Sequence, residues 1–242
     1  MVQGVAQQGA TVGRKLGFAL LVFGATFTGV TQLRPLVMSQ QPLPGDAGLE
    51  GPCAVWFVGS STIARWSTME RDMAPWQIEN RGVGGALIPE LTNRFEVERP
   101  DERPGTMVVY VGDNDLAADQ GAEQVAAELF EFIAAIRARL PDTRLVVLGL
   151  KPSPGRWGLR AEQLKLDALM RDRFGAIPRI SFADVGPSLL VEGQPGPFYA
   201  EDGIHLNEAG YQVWGAAVRR AVEAAIAPDR VQRCTGKELH RT

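Results

Sequence analysis

Two histidines occur in the 242 residues, His205 and His240, and only His205 lies within the patterned part of the chain. Imidazole is the side chain whose ordinary pKa suits general-base work near neutral pH, so base chemistry here falls to His205. It closes the run Asp202-Gly203-Ile204-His205. A carboxylate three residues before a histidine, on a loop entering a helix, can accept from the ring Nδ1–H and leave Nε2 free as the base. Such a base needs an alcohol. Ser61, in Gly59-Ser60-Ser61-Thr62, fits, because a serine at a strand-to-helix turn exposes Oγ and points its N–H from a helix N-terminus toward a forming oxyanion. Ser60 is a rival but sits closer to the strand end. At Gly84-Gly85 backbone N–H groups can approach a substrate closely, and Asn114 offers an amide donor. Taken singly, each has a plainer reading as helix cap, tight turn or turn residue.

These positions need a scaffold that gathers them. Apolar runs of strand length at 54–58, 78–83, 107–111, 145–150 and 180–185 alternate with helical patterns, the rhythm of a parallel sheet covered on both faces. Val125, Leu129, Ile133, Ile136 and Leu140 mark one helix face, and Leu164, Leu169, Met170 and Phe174 suggest another. A last helix follows Asn207, a good N-cap, with Tyr211, Trp214, Val218 and Val222 on one side. Five parallel strands with right-handed crossovers predict an α/β domain, a flavodoxin-like three-layer α/β/α sandwich whose ligands bind outside the carboxyl ends of the strands. Ser61, Gly84-Gly85 and Asn114 each follow a predicted strand, and His205 precedes the final helix. All four segments therefore converge on one rim.

In this order the residues resemble the SGNH subgroup of the GDSL esterase/lipase superfamily, over roughly residues 53 to 220. Gly59-Ser60-Ser61 corresponds to its first block, Asn80-Arg81-Gly82-Val83-Gly84-Gly85 to its second, Gly112-Asp113-Asn114-Asp115 to its third and Asp202 to His205 to its fifth. The resemblance implies a Ser/Asp/His hydrolase with Ser61 as nucleophile, His205 as base and Asp202 as its orienter. It also implies an oxyanion hole made of the Gly85 N–H, the Ser61 N–H and the Asn114 amide. The aspartate usual before the nucleophile is Ser60 here. That aspartate is no triad member, so chemistry is expected to survive the change.

Composition excludes other classes. The net charge of −3 and the absence of long Lys/Arg blocks in the domain leave no electrostatic footprint for nucleic acid. Gly82-Val83-Gly84 follows a strand but lacks the third glycine of a dinucleotide fingerprint, since Leu87 stands there. No cysteine, histidine and carboxylate spacing suits a metal, and no phosphate loop is present, so neither cofactor nor metal is expected.

At the other end, Arg14-Lys15 precede an uncharged stretch, 16–33, followed by a Pro/Gly-rich spacer at 35–52. This reads as an export signal or membrane anchor in residues 1–34, with the domain at 53–228 facing outside the cytoplasm and a C-terminal tail at 229–242. Cys53 and Cys234 flank the domain and share the edge of the sheet opposite the rim. Both a disulfide and a pair of buried thiols satisfy that placement.

The expected activity is hydrolysis of short-chain acyl esters, small or carbohydrate-borne, because the segments between strands are too short for a lid. Lysophospholipase or thioesterase action, O-acyl transfer with the same triad, and a non-catalytic ligand-binding module on this fold are the alternatives. The Lys151-Pro152-Ser153-Pro154 loop and Trp157 are read as groove lining or as a rigid surface turn.

Overall fold

The computed structural model describes residues 41–45, 49–97, 103–236 of the chain. The stretch read as export signal or anchor, and His240, lie outside the described residues. Among the described residues no helix is long and apolar enough to cross a membrane.

Five strands form one parallel sheet in the order β2-β1-β3-β4-β5: β1 (Gly51–Gly59), β2 (Gln77–Gly82), β3 (Pro104–Tyr110), β4 (Arg144–Leu148) and β5 (Ile180–Ala183). The register pairs Gly59 with Gly82 on one side and with Tyr110 on the other, so three strands end level at the rim. Val55, Phe57 and Val58 of β1, and Met107, Val108 and Val109 of β3, are buried, as strands covered on both faces require.

The helices are α1 (Ser61–Ala64), α2 (Met69–Met73), α3 (Ile88–Glu96), α4 (Asp113–Ala117), α5 (Ala122–Arg139), α6 (Arg160–Phe174), α7 (Glu208–Ala225) and α8 (Pro228–Thr235). Helix α5 packs between α3 and α6, while α2 packs on α7. The three-layer α/β/α sandwich expected from the alternation is the observed fold.

Local differences have simple causes. Leu164, read as part of the core face of α6, is half exposed, because the buried face runs through Gln163, Leu166, Asp167, Met170 and Phe174. At about 100° per residue, Leu164 turns away from that stripe. Residues 229–235, read as the start of a tail, belong to α8, which begins on Pro228, buries Val231 and stops at Gly236 in a left-handed conformation. A two-stranded hairpin, β6 (Leu190–Val191) with β7 (Gln194–Pro195), stands in the connection from β5 to α7. Cys53 and Cys234 form a disulfide between β1 and α8, with their Cα atoms 5.3 Å apart.

Candidate active site

Ser61 opens α1 immediately beyond β1. The turn is tight: Ser60 donates its N–H to the Tyr110 carbonyl (3.2 Å) and accepts from the N–H groups of Ile63 and Ala64 (3.0 and 3.1 Å). Ser60 is therefore buried as the start of the helix, whereas Ser61 is half-buried and faces the rim. Gly59 permits the turn, since a Cβ there would stand 2.2 Å from the Tyr110 carbonyl oxygen. Beneath α1, the Asn80 side chain donates to the Ile63 carbonyl (2.8 Å) and accepts from the Gly82 N–H (3.0 Å). The end of β2 thus carries the serine's helix.

The imidazole arrives from the far end of the chain. Asn207 caps α7 by accepting from the Gly210 N–H (2.8 Å), and α7 packs through aromatic rings on Trp66, just beyond α1. Trp66 contacts Phe57, Tyr211 and Trp214 with ring centroids 5.7, 5.9 and 5.2 Å apart. Gly215 leaves room for it, because a Cβ there would come within 2.6 Å of the Trp66 ring. The Tyr211 hydroxyl donates to the Thr62 carbonyl (3.0 Å). Each aromatic pair contributes about 0.5–1.5 kcal/mol beyond its buried area, so this cluster holds two elements remote in sequence at fixed distance.

Before α7, residues 199–206 form a tight loop. Ala200 donates to the His205 carbonyl (2.8 Å), Gly203 to the Ala200 carbonyl (2.9 Å), and Gly203 takes the positive φ of +65° that the bend needs. Asp202 Oδ1 accepts the N–H groups of Ile204 and His205, both at 2.9 Å, which aims Oδ2 at His205 Nδ1, 2.6 Å away. His205 Nε2 lies 2.9 Å from Ser61 Oγ. The hydrogen bond from the His205 ring, then those from the two N–H groups, hold the Asp202 carboxyl well below the ordinary carboxylate range. Ionised Asp202 keeps the ring proton on Nδ1, and Nε2 is the acceptor facing the serine. The arrangement can carry a proton from an attacking hydroxyl to an imidazole.

The donors expected for an oxyanion lie on neighbouring strand ends. Gly85 is exposed, has φ +76°, and no atom comes within 4 Å of where its Cβ would be. The loop bearing it is fixed by Asp115, which is buried and accepts the Ile88 N–H (2.9 Å) at the start of α3. Burial pushes the Asp115 carboxyl up. Asn114 sits in the first turn of α4 behind Gly112, whose φ of +109° allows the turn. Its Nδ2 donates to the Ala86 carbonyl (3.0 Å), and its Oδ1 accepts from Arg156 (2.9 Å). All five sequence-predicted residues, Ser61, Gly85, Asn114, Asp202 and His205, follow strand ends or precede α7 on the same rim.

One cluster at this rim was not foreseen. Lys151, read as groove lining or as part of a rigid surface turn, is buried with its Nζ 2.9 Å from Asp113 Oδ2. Arg156 binds the same oxygen (2.7 Å), and Gln163 donates to Asp113 Oδ1 (3.2 Å). Burial alone would raise the Asp113 carboxyl, but Lys151 and Arg156 hold it below its ordinary value. Its signal was slight, since the partners stand 38 to 50 residues apart. The adjacency of Asp113 to Asn114 was the visible clue. Among the described residues no cluster of histidine, cysteine and carboxylate groups could hold a metal ion.

A parallel α/β sheet carrying these groups on its rim defines the class as an acylhydrolase. The chain belongs to the GDSL-like Lipase/Acylhydrolase family, whose model matches residues 53–213, and it is an esterase of that kind. A curated relative, the human platelet-activating factor acetylhydrolase IB subunit alpha1, is 29% identical over 184 residues, covering 74% of this chain and 79% of the relative. Its bovine counterpart is 30% identical over 163 residues, covering 65% and 69%. Among solved structures, the fold is similar to the Clostridium thermocellum family 3 carbohydrate esterase (TM-score 0.60, 17% identity, 72% of this chain and 96% of that one). It is likewise similar to a GDSL-like lipase from Bacteroides thetaiotaomicron (TM-score 0.58, 19% identity, 72% and 90%).

Proposed function

We propose that this esterase hydrolyses short-chain acyl esters through a Ser61/His205/Asp202 triad and an acyl-enzyme. The supporting observation is the unbroken series Ser61 Oγ, His205 Nε2 (2.9 Å), His205 Nδ1 and Asp202 Oδ2 (2.6 Å). Ser61 Oγ attacks the ester carbonyl carbon while its proton passes to His205 Nε2. The carbonyl oxygen becomes an oxyanion that accepts from the Ser61 and Gly85 N–H groups and from Asn114 Nδ2, and loss of one such donor costs about 3 kcal/mol in comparable sites. Collapse breaks the ester C–O bond, with the His205 proton going to the departing alkoxide. Water then gives its proton to His205 and attacks the acyl carbon, and the second collapse returns that proton to Ser61 Oγ.

A short acyl group suits the exposed Gly84-Gly85 turn, where neither glycine adds a side chain to the rim. The acetylhydrolase named among the relatives is consistent with that size. Either a lipid or a carbohydrate alcohol can carry the acyl group. The domain acts outside the cytoplasm, a reading supported by the Cys53–Cys234 disulfide and by the uncharged stretch 16–33. Finding both cysteines as free thiols in intact cells would overturn that placement.

A fluorophosphonate probe and a nitrophenyl ester series of increasing chain length, run beside acetylated sugars, test the chemistry. Wild-type protein is expected to be labelled and to turn over acetyl esters fastest, and Ser61→Ala to lose both properties while staying folded. Turnover retained by Ser61→Ala would end the triad assignment.

A further inference from the structure

Asn114 is useful to an oxyanion only if its amide presents nitrogen, not oxygen, toward the rim. An amide end carrying oxygen can only accept and the end carrying nitrogen only donate, so the partners on either side decide which way it faces. On one side lies the Ala86 carbonyl, an acceptor, 3.0 Å from Nδ2. On the other lies the Arg156 guanidinium, which has donors only, 2.9 Å from Oδ1. A flipped amide would set donor against donor and acceptor against acceptor. With Nδ2 giving one hydrogen to Ala86, its second points away from that bond.

The guanidinium is itself held. Arg156 spans consecutive side chains of α4, with one terminal nitrogen 2.7 Å from Asp113 Oδ2 and the other on Asn114 Oδ1. Its side chain is only 15% exposed. The 3-10 turn that carries it, Pro154–Leu159, is bonded to the triad loop, since Gly155 donates to the Gly203 carbonyl (2.8 Å). The approach at Gly155 is close, since a Cβ there would lie 2.9 Å from Ile204 Cγ1 and 3.2 Å from the Asp202 and Gly203 carbonyl oxygens. One short turn therefore touches both the amide donor and the acid–base loop.

We propose that Arg156 is a positioning residue for hydrolysis, fixing the Asn114 amide with its N–H toward the developing oxyanion. A cation on Oδ1 also polarises the amide, strengthening its N–H as a donor. This proposal rests on the triad reading above.

A double-mutant cycle on kcat tests it. Arg156→Ala is expected to lower kcat about 10-fold with KM within about twofold, a fraction of the effect of losing an oxyanion donor outright. In an Asn114→Ala background the same substitution is expected to change kcat less than about twofold, because no amide remains to orient. Arg156→Lys keeps a charge near Asp113 but cannot grip two oxygens in a fork, so it is expected to resemble Arg156→Ala. Free guanidinium ion is expected to restore part of the kcat of Arg156→Ala and none of the double variant's. Melting temperatures of all variants separate these effects from unfolding, and Arg156→Lys carries the comparison if Arg156→Ala does not fold. Losses that multiply in the double variant, or wild-type kcat in Arg156→Lys, would overturn the positioning role while leaving the triad intact. An active Ser61→Ala protein would instead remove the reading beneath it.

Discussion

Asp202 and Asp167 are driven in opposite directions by their surroundings. Asp202 stands in an exposed loop, where the His205 ring and two backbone N–H groups favour its anion. Its contribution to stability is present above the unfolded pKa and is lost as pH falls through the lower folded one. Asp167 is buried beside the end of β4, with Oδ1 accepting the Leu150 N–H (3.0 Å). Burial first, and the Asp184 charge second, push its carboxyl up to about 6, against the Leu150 N–H, Arg160 and Arg171. The sign is then reversed: the stabilising protonated form is complete below the unfolded value near 4, and its benefit disappears as pH rises through about 6. Asp167→Asn keeps the acceptor and removes the charge. It is expected to be more stable than wild type at pH 8 by up to about 3 kcal/mol in urea unfolding, with the gap closing toward pH 4. A gap that does not change with pH would mean that Asp167 titrates alike in the folded and unfolded chain and that burial does not raise its carboxyl. At this scale the Asp202–His205 pair was legible because a single histidine in the patterned part of the chain and one nearby aspartate left little choice. Asp167 was not, since burial of a polar residue in an amphipathic helix depends on a strand end that faces it across sequence.

Among the elements, α1 shows how little sequence is needed to place the Ser61 hydroxyl at the rim and how much structure. Four residues have no periodicity to read, and Ser61 was instead found from its position after an apolar strand. The long elements were legible for the opposite reason: Val and Leu runs covered on both sides read as buried strands, and 3.6-residue spacing found α5 and α7. The β6–β7 hairpin, two residues a strand, carries no such signal. What seats α1 is β2, where Gly82 passes so close that a Cβ would stand 2.2 Å from the Ala64 nitrogen. Backbone cannot yield as a side-chain tip can. Gly82→Ala is therefore expected to push α1 off the sheet, lowering stability by about 1–3 kcal/mol, as overpacking does. Because reacting atoms tolerate little displacement, kcat is expected to fall about 10- to 100-fold, beyond what the loss of folded protein explains. Differential scanning calorimetry with active-site titration checks both numbers. Full kcat per titrated site would show that β2 does not set the serine's position.

Across the whole molecule, the parallel sheet separates two kinds of work. Every carboxyl-terminal strand end carries part of the site or its support: Ser61 after β1, Gly85 after β2, Asn114 after β3, Lys151 and Arg156 after β4, and Asp202 with His205 beyond β5. The topology was readable because βα alternation restricts the sheet to few arrangements and assigns ligands to that rim. The opposite edge holds the Cys53–Cys234 bridge. Sequence left bridge and thiols equally open, since two cysteines brought to one edge satisfy either outcome until their Cα separation is known. The bridge closes a segment of 181 residues, for which the chain-entropy account gives about 5 kcal/mol through restriction of the unfolded chain. Six residues of β1 at about 3.3 Å each put it on the order of 20 Å from Gly59. Restriction of the unfolded state leaves native geometry at the rim untouched. The paired variant Cys53→Ser/Cys234→Ser is therefore expected to unfold at markedly lower urea concentration, by several kcal/mol, yet to keep wild-type kcat at 25 °C while it remains folded. Equal urea midpoints for the variant and the oxidised protein would refute the chain-entropy account. A folded variant with depressed kcat would show that strain at the base of the sheet reaches Ser61.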